Sequence, residues 1–176
     1  MGRRQRQVRY EVVDPDRFIV GTVGAPGERA FYVQAKKDRQ VFSVAIEKDQ
    51  VRAIVSRLEI IIAGVKRANP FELLEPMPID DEALDSPVDS LFVTGAISIS
   101  WDDQMKIVNF EFYEATSQEG QDDTEVLALS ISLGSAQSFV NRSKAVVNAG
   151  RLPCPFCSIP IDPRGHLCPR ANGYKR

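Results

Sequence analysis

Apolar and polar residues alternate with a period of two through most of the first 48 residues. The stretch "VRYEVVD" (8–14) runs through the turn signal Asp14-Pro15-Asp16 into "RFIVGTVG" (17–24). "GAPGER" then turns the chain into "AFYVQAKKD" (30–38), and only Arg39 separates that stretch from "QVFSVAIEK" (40–48). Side chains that point to alternate faces make these half-buried strands, and their Val, Ile, Phe and Tyr content suits a pleated surface. After Lys48 the period changes. Val51, Ile54, Val55, Leu58, Ile61, Ile62 and Val65 recur every three or four residues, which is one apolar stripe on a helix. The pattern predicts that helix over 50–68, with Asp49 as its N-cap and Asn69-Pro70 as its stop.

The second half repeats the order. "LFVTGAISISW" (91–101) places Ile97, Ile99 and Trp101 on one face, and "KIVNFEFYEAT" (106–116) does the same with Val108, Phe110 and Phe112. "VLALSISLG" (126–134) follows an acidic loop, and a second helix is predicted over 135–149, with Phe139, Val140, Ser143, Val146 and Val147 at helical spacing and Gly150 as its end. The strand-to-helix steps "SVAIEKDQVRAIVSR" and "LSISLGSAQSFVNR" resemble each other, a hint of internal duplication. Strands that join directly to strands argue against a βαβ fold. The expected class is therefore α+β: an antiparallel sheet of about seven strands with two helices on one face, plus a small C-terminal zinc-knuckle tail. The expected division is a body at 1–151 and a metal-binding tail at 152–176.

Charge divides the chain in a way that its net value of −2 conceals. Residues 1–69 balance at +6, residues 70–134 at −14 and residues 135–176 at +6. The segment 70–90, with four prolines and seven acids, reads as a linker, packed at Phe71, Leu73 and Leu74 and mobile across Asp80–Asp89. Attraction between the basic ends and the acidic middle accounts for the segregation. Nucleic-acid binding by the basic ends is not favoured, because they lack interleaved aromatic residues. No apolar run reaches the length of a membrane span, and the basic N-terminus has no apolar core of a secretory signal. A cytoplasmic protein with reduced thiols is the expectation.

All three cysteines and the single histidine fall in the last 23 residues, "CPFCSIPIDPRGHLCPRANGYKR". Cys154, Cys157, His166 and Cys168 form C-x2-C-x8-H-x-C. Two residues between Cys154 and Cys157 suit a turn that aims two thiolates at one ion. Asp162-Pro163-Arg164-Gly165 is turn-forming and would bring the second pair back to the first. His166 and Cys168 are two residues apart, so they share a face of an extended segment. Three thiolates and one imidazole complete a tetrahedral shell, which predicts a closed structural Zn2+ site. An iron–sulfur cluster is the alternative that spacing leaves open. A glutaredoxin-like active site at Cys154-Pro-Phe-Cys157 is excluded because Pro160 and Pro163 forbid the helix it needs. Aliphatic and aromatic neighbours of the ligands (Phe156, Ile159, Ile161 and Leu167) are expected to dock the tail onto the body.

Catalytic constellations are scarce. The only histidine is committed to the metal set, which leaves no histidine base for a nucleophile. "GTVGAPG" (21–27) lies between strands, so it is a hairpin loop and not a phosphate cradle. Asp102-Asp103, Asp80-Asp81-Glu82, and the pair Glu111 and Tyr113 are the remaining polar candidates. "RFIVGTVG", "ISISWDD", "FEFYEA" and above all "CPFCSIPIDPRGHLCPRANGY" resemble an uncharacterised actinobacterial family, domain of unknown function 3090. The resemblance implies no assigned activity. It does imply a genomic setting beside phosphomutase-like and lipid-kinase-like proteins, and hence an accessory role. The leading expectation is a non-enzymatic, zinc-stapled binding or adaptor protein whose partner is another protein. The alternative is an enzyme or accessory protein for a phosphorylated or nucleotide-like compound, using cations such as Arg17 and Lys36.

Overall fold

A computed structural model describes residues 6–25, 27–71, 77–115, 123–150, 153–159, 161 and 166–170. The alternating stretches form β1 (Arg6–Val13), β2 (Arg17–Val23), β3 (Ala30–Lys37), β4 (Gln40–Ile46), β5 (Ser90–Asp102), β6 (Ile107–Glu114) and β7 (Asp123–Ser132). The helices are α1 (Lys48–Ala68) and α2 (Leu133–Asn148). The expected α+β class with seven strands and two helices is present. Each of the seven residues of the apolar stripe is buried on α1. The N-cap is Glu47 rather than Asp49, because the side chain of Gln50 reaches back to accept from the Glu47 N–H at 2.9 Å. Ser132 caps α2 by accepting from the Ser135 N–H at 3.1 Å.

The sheet order is β1-β7-β6-β5-β4-β3-β2, and it corrects the expectation of a wholly antiparallel sheet. Four of the joins are antiparallel, but β4 pairs with β5 in parallel, and so does β1 with β7. A parallel neighbour requires a crossover. For β4 and β5, α1 and the proline-rich segment after it supply that crossover; for β1 and β7 it is the rest of the sheet.

The order has a geometric consequence. A flat seven-stranded sheet would hold its outer strands about 29 Å apart, at ~4.8 Å per strand. Yet β1 and β2, the two outermost strands, are joined by residues 14–16 alone. Four Cα steps reach at most about 14 Å, so the ladder bends until its two edge strands meet end to end. β5 is the counterpart of this corner. Its residues Ser90 and Val93 pair with β4, whereas Thr94 to Asp102 pair with β6. The register shifts between Thr94 and Ile97, where Gly95 approaches the Ala115 backbone so closely that a Cβ would lie 2.9 Å from the Ala115 Cα. The chain thus runs twice through one plan: a strand that turns a corner, two antiparallel partners, then a helix. The hint of duplication at the strand-to-helix steps extends to the whole topology.

The helices pack on each other, and α2 lies over β2. Phe18 stacks on Phe139 with centroids 4.5 Å apart and meets Phe110 edge-on at 5.3 Å. Residues from all seven strands and both helices share this core, with β5 contributing Phe92.

The segment 77–89 crosses the opposite face of β2 and β3. It is not a free linker there, contrary to the expectation for Asp80–Asp89. Arg17 grips Asp80 with two nitrogens, at 2.5 and 2.8 Å, and Arg142 of α2 holds the Asp80 carboxylate and the carbonyls of Asp80, Glu82 and Val20. Lys36 and Arg17 pair with Asp85. Gln34, buried in the sheet, accepts from the Asp85 N–H and donates to the Asp85 carbonyl, as a peptide group would. Leu84 fills the space left by Gly21, where a Cβ would come within 2.5 Å of it. We call this segment the strap. Phe71, expected to pack, is 88% exposed, and Leu73 and Leu74 lie outside the described residues.

Candidate metal centre

Helix α2 ends at Asn148, and Pro153 begins a knuckle with no helix or strand among its described residues. Local hydrogen bonds shape its first arm. The Ser158 N–H donates to the Cys154 carbonyl, and the Cys154 N–H donates to the Ile159 carbonyl, both at 2.8 Å. Ser158 takes a left-handed conformation, φ +62°, which turns the chain tightly enough for the sulfurs of Cys154 and Cys157 to converge. In the second arm, Leu167 is 71% exposed while Cys168 is 3% exposed, the alternation expected of an extended segment. Arg170 ties the arms together by donating to the Phe156 carbonyl at 3.2 Å. The turn at 162–165 lies outside the described residues.

This fold of the chain brings all four expected ligands together. The sulfurs of Cys154, Cys157 and Cys168 and a nitrogen of His166 lie within 4.8 Å of one another. The Cys154 and Cys168 sulfurs are 3.8 Å apart, too far for a disulfide at about 2.05 Å. Four ligands placed tetrahedrally around one ion with ~2.3 Å metal–sulfur bonds give a sulfur–sulfur edge of about 3.8 Å. The Cys157 sulfur lies 3.3 Å from His166 Nε2, so Nε2 is the nitrogen that faces the centre. His166 Nδ1 is buried with no hydrogen-bond partner among the described residues, a departure from the usual outer support of a ligating imidazole.

The electrostatics of the cluster fit a cation. Burial pushes the Cys154 thiol up, but the N–H groups of Cys157 and Phe156 and the thiols of Cys157 and Cys168 bring it down to about 6. Burial pushes the Cys157 thiol up; the Ile159 N–H opposes this, while hydrogen bonds with Cys168 and Cys154 and the Cys154 charge add to it. One thiolate in the group therefore disfavours the next. A bound cation removes that conflict by holding several thiolates at once. The donor set of three sulfurs and one imidazole could hold a single metal ion.

A family model described as a protein of unknown function (DUF3090) matches residues 10–168, from β1 to the fourth ligand. The chain belongs to the DUF3090 family. No curated protein and no solved structure matches it. This DUF3090 chain carries its four-ligand cluster wholly inside the matched span.

Most of the other polar candidates are engaged in structure; the Asp81 and Glu82 side chains make no hydrogen bond or ion pair among the described residues. Arg17 and Lys36, expected to serve an anionic ligand, are held by Asp80 and Asp85 of the strap. Asp80 itself is occupied by Arg17 and Arg142. Asp102 accepts from the N–H groups of Gln104 and Met105, and Asp103 from Lys106 and Trp101. Glu111 accepts from Tyr113 at 2.5 Å and pairs with Arg9 at 2.8 Å. The role of Arg142 was missed from sequence. The only available signal was an arginine next to the apolar stripe of α2, with nothing to reveal its partner 62 residues away. The docking of the tail is corrected as well. Phe156, Ile159 and Leu167 are 44%, 48% and 71% exposed, Ile161 is half-buried, and none of the four belongs to the core cluster.

Proposed function

We propose that Cys154, Cys157, His166 and Cys168 hold one structural zinc ion, and that the protein works as a zinc-stapled binding or adaptor protein for another protein. The carrying observation is the convergence of four ligand atoms within 4.8 Å, with two of the sulfurs buried. A multi-iron cluster spreads its ligands over different metal atoms, whereas this spacing suits one ion. Four protein ligands fill a tetrahedral shell and leave no position for substrate, which favours a structural role over a catalytic one. The adaptor reading is supported by the knuckle's outward surface, where Ile159 and Leu167 are 48% and 71% exposed. A cytoplasmic location is part of the proposal, because three cysteines without disulfides fit a reducing compartment.

Elemental analysis of the purified chain by inductively coupled plasma mass spectrometry tests this reading. It is expected to return about one zinc per chain, the stoichiometry of a closed four-ligand site. Iron with charge-transfer absorbance in the visible would replace zinc by an iron centre. No metal at all would remove the staple and the adaptor reading built on it.

A further inference from the structure

A crevice of about 820 Å3 opens at one end of β3 and β4, between the start of α1 and the end of α2. Its volume lies in the range of small-molecule sites, roughly 300–1,000 Å3. Phe31, Ile46, Val93, Val146 and Val147 give it an apolar floor. Val93 is 57% exposed there, so this floor is open to solvent. The rim carries three cations, Arg29, Lys48 and Arg52, against one acid, Glu47.

The position of Lys48 is not what α1 needs. It is the first residue of the helix, where the partial positive charge of the terminus favours an acid. Its half-buried side chain makes no hydrogen bond or ion pair among the described residues. The end of α2 explains part of the charge. Arg29 donates one nitrogen to the Ala149 carbonyl at 2.9 Å, and α2 has no basic residue in its own last turn. That contact leaves the rest of the Arg29 guanidinium uncommitted and does not involve Lys48. Arg52 pairs only with the exposed Asp49. The neighbouring groove of about 620 Å3 along α2 offers no such chemistry, because its cation, Arg142, is spent on the strap and the carbonyl of Val20.

We propose that this crevice is a binding site for a small amphipathic anion. A phosphate or carboxylate head would sit at Lys48 with Arg29 and Arg52 around it, and an apolar body would lie on Phe31, Val93 and Val146. A charged head needs paired donors, and an apolar body gains from covering an exposed floor; the crevice supplies both. The site shares no residue with the metal ligands, although Pro153, next to Cys154, forms part of its wall.

The test is amide-resolved NMR titration of the full chain as purified, with phenyl phosphate, benzoate and benzyl alcohol as probes. One or both anions are expected to move the amides of Phe31, Lys48, Val93 and Val147 saturably at millimolar concentration, with benzyl alcohol much weaker. The anion that binds more tightly identifies the head group. Lys48→Gln is expected to weaken binding by about tenfold or more, the worth of one charge-assisted hydrogen bond, with an unchanged backbone spectrum. Arg52→Gln, at an exposed side chain, gives an independent reading if Lys48→Gln melts early. The proposal is overturned by no saturable shift with either anion, by equal binding of benzyl alcohol, or by unaltered affinity in both variants.

Discussion

The strap at 77–89 and the knuckle at 153–170 are both short, contain proline, and show no helix or strand among their described residues, yet they are held by opposite means. The strap is fastened from outside. Its backbone and carboxylates are taken up by Arg17, Gln34, Lys36 and Arg142, all from the body. The knuckle is fastened from within: hydrogen bonds join Cys154 to Ser158 and Ile159 and Arg170 to Phe156, and its ligands converge on one another. Apolar burial divides them less cleanly: the middle of the strap buries Leu84 against Gly21 while Met77 and Ile79 at its start are exposed, and the knuckle exposes Ile159 and Leu167. Composition alone predicted the reverse, a mobile acidic strap and a docked apolar knuckle. Acidic, proline-rich sequence is mobile only if no complementary cations are fixed nearby, and apolar residues dock only if a surface is shaped for them.

The sharpest way to break the comparison is to remove the ligands. Cys157→Ser, or chelation of the bound metal, is expected to abolish ordered structure in residues 153–170, because a segment this short has no core to fall back on. The body is expected to melt within a degree or two of the parent, since Phe156, Ile159 and Leu167 contribute nothing to its core. Circular dichroism melts and amide spectra of both forms would measure this. A body that loses several degrees would mean that the knuckle supports it, and the contrast with the strap would collapse.

What sequence could and could not tell follows from the range of the forces. The α1 stripe and the Cys3His spacing were legible because their determinants are local: seven apolar residues at helical period, and four ligands within fifteen residues. The β2–β3 and β5–β6 hairpins were legible for the same reason. The parallel joins were not. They depend on β1 meeting β7 across more than 110 residues, and alternation says which face a residue takes but not which strand lies beside it. The clamp on the strap was hidden in the same way. Asp80 and Arg142 each read as ordinary charged residues until the fold brings them together, and Gln34 reads as a polar residue in a strand until Asp85 lies over it.

The next effect in size concerns that clamp. Arg142 is 10% exposed at its side chain and satisfies three backbone carbonyls, of Val20, Asp80 and Glu82, as well as the Asp80 carboxylate. Arg142→Met keeps the aliphatic stem but leaves those acceptors short of a donor. The expected cost is about 2–4 kcal/mol in the unfolding free energy of the body, read from urea denaturation. Hydrogen exchange is expected to accelerate at Asp85 and Leu84 while the knuckle amides stay unchanged. A cost below about 0.5 kcal/mol, the range of an ordinary surface change, would show that the strap holds without its clamp.

The smallest effect is the charge of the clamp alone, and acid isolates it. The hydrogen bond from Arg17 holds the Asp80 carboxyl below its ordinary value, with the charges of Arg17 and Arg142 adding to it against burial. Asp85 is lowered in the same direction, first by its hydrogen bond from Lys36. A carboxyl with a lower pKa in the folded state binds its proton more readily when unfolded. Its contribution is therefore fully present above the unfolded value, near 3.9, and is lost as pH falls through the folded one. Both carboxylates are partly solvated, with side chains 28% and 31% exposed, so screening limits the expected loss to about 1 kcal/mol for each. Asp80→Asn removes one of the two titrations without emptying the space beside Arg17. The slope of stability against pH between neutral and strongly acidic solution is expected to flatten in the variant, and the difference from the parent to vanish once both are fully protonated. A variant whose pH profile runs parallel to the parent's throughout would assign the hold on the strap to its backbone contacts with Gln34, Arg17 and Arg142, and not to its charge.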